Sequence, residues 1–213
     1  MDPREPEPVT DRLFAFFERL KTMSSIKRFG TLPMIENESV ASHSYNVAMM
    51  SLMIADYEPD LKVNRETVLR KALFHDFEET ILSDIPHPIK HRFQGGKLGQ
   101  LLKEIVPELI EHEIFKELPE PLKQMYVHTA KTAKEDLEGQ IVGAADAMDI
   151  VMTSLRELKM GNRYFENIFD VGLKLLEKYQ RFAFARLFAE SARSYRAMGA
   201  QSTSPTYSDE FVS

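Results

Sequence analysis

The stretch Leu73-Phe74-His75-Asp76-Phe77-Glu78-Glu79 constrains this chain more than any other. Asn64 stands where an N-cap would, and Val68, Leu69, Ala72, Leu73 and Phe74 follow at helical spacing. The pattern predicts one helix from Asn64 to Leu82. At about 100° per residue, His75 and Glu79 would share a face of that helix, with Asp76 about a quarter turn away. An imidazole and two carboxylates then meet among Leu, Phe and Ala side chains. Burying such a group is costly unless a cation joins it.

A His-Asp pair alone on a helix is ordinarily a solvated edge or a capped turn. Two distant stretches change that balance. Ser39-Val40-Ala41-Ser42-His43-Ser44 places His43 at the start of an apolar helix, and Ala144-Ala145-Asp146-Ala147-Met148 places Asp146 inside another. Two His and two Asp form a mixed nitrogen and oxygen donor set, suited to a divalent transition metal with open coordination positions.

The 213 residues, 43% apolar and 28% charged, are enough for one soluble globular domain with a sizeable core. No apolar run has the length of a membrane span, and Met1-Asp2-Pro3-Arg4-Glu5-Pro6 lacks a secretory apolar core. There is no cysteine. That excludes a disulfide scaffold, Cys-ligated zinc and thiol nucleophiles, and it fits a cytoplasmic protein. The net charge of −6 argues against broad binding to polymeric nucleic acid and leaves room for a local basic pocket for a small phosphate.

Taken in order, residues 1–9 read as a flexible lead-in, 10–199 as the folded domain and 200–213 as a disordered tail. Thr10 or Asp11 is placed to cap a first helix with an apolar face of Leu13, Phe14, Phe16, Phe17 and Leu20. Further helices are expected over 39–57, 99–118, with Pro107 marking a break or a new first turn, 119–131 and 135–160. Gly161-Asn162 is a stop signal for the last of these. Asp149 on it reads either as a neighbour that orients a ligand or, the preferred reading, as an exposed charge. One or two more helices follow over 163–198, with a core or dimer stripe. The segment from Phe93 to Lys97, with Gly95-Gly96, reads as mobile. No strand is convincing, so the fold class is all-α.

The residues also resemble a known family. His43, the His75-Asp76 pair and Asp146 look like the ligands of the HD-domain metal phosphohydrolases. More narrowly, the chain resembles the YfbR-like 5′-deoxynucleotidases. The match runs through Arg28-Phe29, Glu38 to Ser44, His75 to Glu79, Ser83-Asp84-Ile85-Pro86-His87-Pro88-Ile89-Lys90, Ala145-Asp146-Ala147 and Leu158 to Asn162. Two positions depart from it: Ser42 stands where relatives commonly carry Glu, and Phe29 where they carry Trp.

The resemblance implies an HD-type helical bundle, a likeness to homodimeric enzymes, and hydrolysis of a nucleoside 5′-phosphate, with deoxynucleotides preferred, to nucleoside and phosphate. His43, His75, Asp76 and Asp146 would hold a divalent ion (Mn, Co, Mg, Zn or Fe). Arg28 and Phe29 would contact the nucleotide, and Lys90 with Arg28 would meet the phosphate charge. Glu79 is placed to act on a water or to hold the site's geometry, and Asp84 to act as general acid or base. Two alternatives stay open: removal of a longer phosphate chain from (deoxy)nucleoside triphosphates, and a non-catalytic nucleotide-binding or dimerisation module. Extra ligands from His87, His91 and His128 would make a binuclear site, but His87 and His91 lie in a proline-broken loop with no matching carboxylate pattern, which argues against it.

Overall fold

A computed structural model describes residues 9–86, 89–90 and 93–198. The expected lead-in and tail fall largely outside them, as do His87 and His91. Nine α-helices are present among the described residues: α1 (Val9–Thr22), α2 (Val40–Tyr57), α3 (Arg65–Phe74), α4 (Glu79–Leu82), α5 (Lys97–Leu109), α6 (Glu120–Lys131), α7 (Leu137–Lys159), α8 (Glu166–Leu176) and α9 (Ala183–Ala197). Extended pairing among them is limited to one isolated bridge between Lys27 and Ser39. The all-α expectation is met. None of the described helices is long and apolar enough to cross a membrane.

Side-chain caps set several boundaries, Asn64 being the one expected from the sequence. Ser39 caps α2, the Asn64 side chain accepts the Thr67 amide at the start of α3, and the Asp136 side chain accepts the Gly139 amide at the start of α7. α1 is already helical at Val9, so neither Thr10 nor Asp11 is its cap. Pro107 lies inside α5. The irregularity comes just after it, as a π turn over Ile110–Ile114. Phe93–Gly96, expected to be mobile, forms a 3₁₀ turn.

One expectation fails where it matters most. The helix predicted from Asn64 to Leu82 is two helices, because α3 stops at Phe74 and α4 begins at Glu79. Between them the chain makes tighter turns, with Phe77 N–H donating to Phe74 O (3.2 Å) and Glu79 N–H to Asp76 O (3.1 Å). The His75 ring donates from Nδ1 to Ala72 O (2.7 Å), the carbonyl at which regular pairing ends. His75 and Glu79 therefore do not stack on one helical face, and the His-Asp pair projects from a helix end.

Two apolar clusters hold these pieces. Val47, Ile54, Val68, Ile141, Val151, Phe169 and Phe182 bring α2, α3, α7, α8 and α9 together around the long α7. Phe16, Val40, Phe77, Ile114 and Phe115 form the other, in which Phe77 and Phe115 stack with ring centroids 5.5 Å apart. Phe77 is thus the anchor beneath the turn that carries His75 and Asp76. At about 25 cal/mol per Å², burying a ring of this size stabilises by about 1.5–3 kcal/mol.

Candidate active site

Four side chains from two helices and one turn converge where the two clusters meet. His43 leaves the first turn of α2. There Ser39 accepts the Ser42 amide (3.1 Å) and Ser42 accepts the Ser39 amide (3.0 Å), a capping box that fixes where the helix starts. Ser42 has this task. His43 Nε2 and His75 Nε2 lie 3.1 Å apart. Asp76 Oδ2 is 3.1 Å from the His75 nitrogen and 3.4 Å from that of His43, and Asp146 Oδ1 is 3.4 Å from His43 Nε2. One donor atom each of His43, His75 and Asp146 fits within 4.8 Å of the others.

The outer nitrogens of both rings are taken. His75 Nδ1 donates to a carbonyl, which can only accept, so its proton sits there. His43 Nδ1 lies 2.6 Å from Asp149 Oδ2. Both Nε2 atoms are left facing the cluster, the arrangement a metal ligand needs. Asp149, expected to be exposed, is only 1% exposed. The residues present fit a divalent ion: two imidazole nitrogens and two carboxylates, each imidazole oriented from behind. Asp149→Asn should lower divalent-ion affinity by about 10–100-fold, because the ring loses a charged orienting partner. Competition with a chromophoric chelator measures this, and an unchanged affinity would show that Asp149 is only a packing residue.

The electrostatics reflect a site built for positive charge. Burial and Arg28 work against a charged His43, but Asp146, Asp149 and Asp76 outweigh them and push its pKa up to about 10. Burial likewise works against ionised Asp76 and Asp146. The His75 ring and Lys134 prevail for Asp76, and Lys134 and His43 for Asp146, holding both well below the usual carboxylate range. Lys134 was not singled out in the sequence. Its Nζ sits 3.0 Å from Asp146 Oδ2 and 3.5 Å from Asp76 Oδ1.

Arg28 and Phe29 lie beside this cluster, in the connection between α1 and α2. Arg28 is buried, and its Nη1 pairs with Asp149 Oδ2 (3.0 Å) and Glu38 Oε2 (3.1 Å). Its guanidinium carbon lies 5.0 Å from the centre of the Phe29 ring, which meets the Phe165 ring edge-on with the two centres 5.5 Å apart. The connection is pinned further along. Buried Glu157 accepts the amides of Ile35 (3.0 Å) and Glu36 (2.9 Å), and Asn162 Nδ2 donates to Pro33 O (2.7 Å). The stop signal of α7 thus also holds the loop that carries Arg28.

Asp84 Oδ2 accepts the Phe29 amide at 2.8 Å. Phe29 (φ 54°) and Ser83 (φ 59°) are the non-glycine residues with positive φ among those described, and both flank this one bond. Glu79 is buried, and its Oε1 lies 3.8 Å from Lys90 Nζ. Burial and the charges of Asp76 and Asp84 push Glu79 up to about 8. A cavity of about 240 Å³ opens against Glu79, Lys90 and Ser83. His128 is exposed on α6, away from the cluster.

Comparison with known proteins agrees with this geometry. The structure is similar to an HD-domain phosphohydrolase from Listeria innocua, with a TM-score of 0.77 and 26% identity over 88% of this chain and 91% of that one. A cyanophage S-2L HD phosphohydrolase, DatZ, bound to dA and one catalytic Zn²⁺ ion, shares the fold at a TM-score of 0.52 and 20% identity, covering 85% and 94% of the two chains. Fold and cluster together define a hydrolase of the HD-domain phosphohydrolase class. Within that class the chain belongs to the 5′-deoxynucleotidase YfbR-like family, which matches residues 15–194. Among curated proteins it is 28% identical, over 154 residues, to a 5′-deoxynucleotidase from Erwinia tasmaniensis. It is 28% identical to the 5′-deoxynucleotidase YfbR of Escherichia coli, over 70% of this chain and 76% of that protein.

Proposed function

We propose that this protein hydrolyses the 5′-phosphate of deoxynucleoside monophosphates to nucleoside and inorganic phosphate, with a divalent ion held by His43, His75, Asp76 and Asp146. The observation that carries the reading is the pair of imidazole Nε2 atoms 3.1 Å apart, framed by two carboxylates and each oriented from behind. The mixed donor set suits Mn, Co, Zn or Fe, with Mg a weaker match. When bound, the ion neutralises phosphate charge and supplies an acidic water.

The chain's own residues divide the remaining work. Glu79, buried and poised near neutral pKa, takes or returns a proton on that water. Asp84 sits at the junction of the Arg28 loop and the segment after α4, where it serves the leaving 5′ oxygen. Lys90 and Arg28 supply cationic charge to the phosphate, and the Phe29 ring contacts the sugar. Arg28 is also a buried partner of two carboxylates, so Arg28→Lys, which keeps the charge, is the variant that reports on phosphate binding.

Phosphate release from a panel of deoxy- and ribonucleoside mono- and triphosphates, with Mn, Co, Mg or Zn added, tests the proposal. Release from monophosphates with a deoxy preference supports it. Activity confined to triphosphates would move the chain to the triphosphate reaction, and no release under any metal would favour a non-catalytic module. Phe29→Ala should narrow the deoxy/ribo ratio of kcat/KM by roughly tenfold, since bulk that discriminates a hydroxyl is lost. Arg28→Lys should lower both values alike. An unchanged ratio in Phe29→Ala would remove Phe29 from sugar selection.

A homodimer is supported by an exposed stripe on α2, where Tyr45, Met49, Met53 and Tyr57 recur every four residues. A cysteine-free chain acting on nucleotides fits the cytoplasm.

A further inference from the structure

Asp76 and Asp146 each present two oxygens, and the structure uses them differently. The inward oxygens, Asp76 Oδ2 and Asp146 Oδ1, face the imidazole Nε2 atoms at 3.1–3.4 Å. The outward oxygens, Asp76 Oδ1 and Asp146 Oδ2, face Lys134 Nζ at 3.5 and 3.0 Å. Lys134 reaches them from the turn between α6 and α7, with its side chain 46% exposed. The ammonium therefore lies on the far edge of the carboxylates that would grip a metal ion, and it does not fill the space between the rings.

We propose that Lys134 is a built-in second cation of the site, one that stays on the outward oxygens while a single divalent ion takes the inward ones. The proposal rests on the reading of His43, His75, Asp76 and Asp146 as the metal ligands. Two consequences follow from the charges alone. Two carboxylates and a divalent ion sum to neutrality, so the ion and these ligands add no net charge to what Arg28 and Lys90 offer an incoming phosphate dianion. Lys134 makes the loaded cluster cationic. The same charge repels the metal, so the site holds its ion less tightly than the bare ligand set would. A carboxylate pair bridging two cations is the scaffold of a binuclear site. Here one of the two places is taken by a side chain that cannot be lost to a chelator.

Metal binding, read without turnover, tests this. Mn²⁺ is titrated into the metal-free full-length protein and free Mn²⁺ is followed by its paramagnetic resonance signal. Wild type is expected to bind one ion per chain. Lys134→Met should bind that ion about tenfold or more tightly, from loss of a unit charge beside a dication. Lys134→Arg, which keeps the charge, should stay near wild type. Circular dichroism establishes that each variant is folded. Should Lys134→Met fail to fold, Lys134→Gln replaces it, with the same tightening expected. Steady-state KM for the nucleotide should rise in the neutral variants despite full metal occupancy. Two ions per wild-type chain, or a neutral variant binding Mn²⁺ no more tightly than wild type, would overturn the proposal and leave the ligand assignment standing. No ion bound by wild type would overturn both.

Discussion

Asp146→Ala is expected to release the divalent ion and abolish phosphate release while leaving helix content unchanged. Asp146 stands in the middle of α7, but its side chain points to the cluster and away from the core. Its neighbours Ala144, Ala145, Ala147 and Met148 are the residues that pack, all 3% exposed or less. Removing the carboxylate therefore costs the fold little. The site loses much more: one of four donors goes, and Lys134 loses its nearer partner at 3.0 Å and keeps only Asp76 Oδ1 at 3.5 Å. Metal analysis after dialysis, circular dichroism and an assay with excess metal check the three statements separately. Full activity with excess metal would show that Asp146 is not a ligand.

Glu79→Ala should behave in the opposite way, retaining metal and losing turnover by about 10²-fold or more, the effect usual for a positioned acid–base group. Glu79 is buried yet stands outside the four converging residues, and its contacts run to Lys90 and the adjoining cavity. Burial and the charges of Asp76 and Asp84 push it up to about 8, so it carries a proton at neutral pH in the metal-free protein. A cation placed beside it favours the ionised form, which couples this proton to metal loading. Glu79→Gln keeps the shape and removes the titration, and should lose as much as Glu79→Ala. Metal content falling in step with activity would make Glu79 a ligand.

The four central residues were legible because ionisable side chains among Leu, Phe and Ala are conspicuous, and their order matches a family pattern. The break after Phe74 was not. The apolar period runs on through Phe77 and Leu82, and nothing local shows that the His75 ring will take the Ala72 carbonyl. Asp149 carried a usable signal, since it lies one turn beyond Asp146 on the same helix and so near the same face. The sequence leaves an orienting role and a solvated charge both open there and favours the second, because the role depends on His43, 106 positions earlier. Lys134 offered no signal, being one lysine in a polar turn that only tertiary structure brings to Asp76. Arg28 was read as a free cation for phosphate, whereas in the fold it also neutralises Glu38 and Asp149. A charge of that kind cannot be distinguished in sequence from a ligand-binding one.

The bond between Asp84 and the Phe29 amide decides how the mouth of the site is held. It joins the Arg28 loop to the segment after α4, and the backbones at Phe29 and Ser83 are both held at positive φ beside it. A non-glycine residue so held stores about 1–3 kcal/mol, and a hydrogen bond to a carboxylate is worth about 1.5–3 kcal/mol. Two such residues together cost about 2–6 kcal/mol, at least as much as one such bond returns, so the packing around both segments, and not the bond alone, keeps them in place. The clasp sets Phe29 and Asp84 in register, with Arg28 beside them, so the mouth of the site is fixed by backbone that the sequence would not adopt unaided.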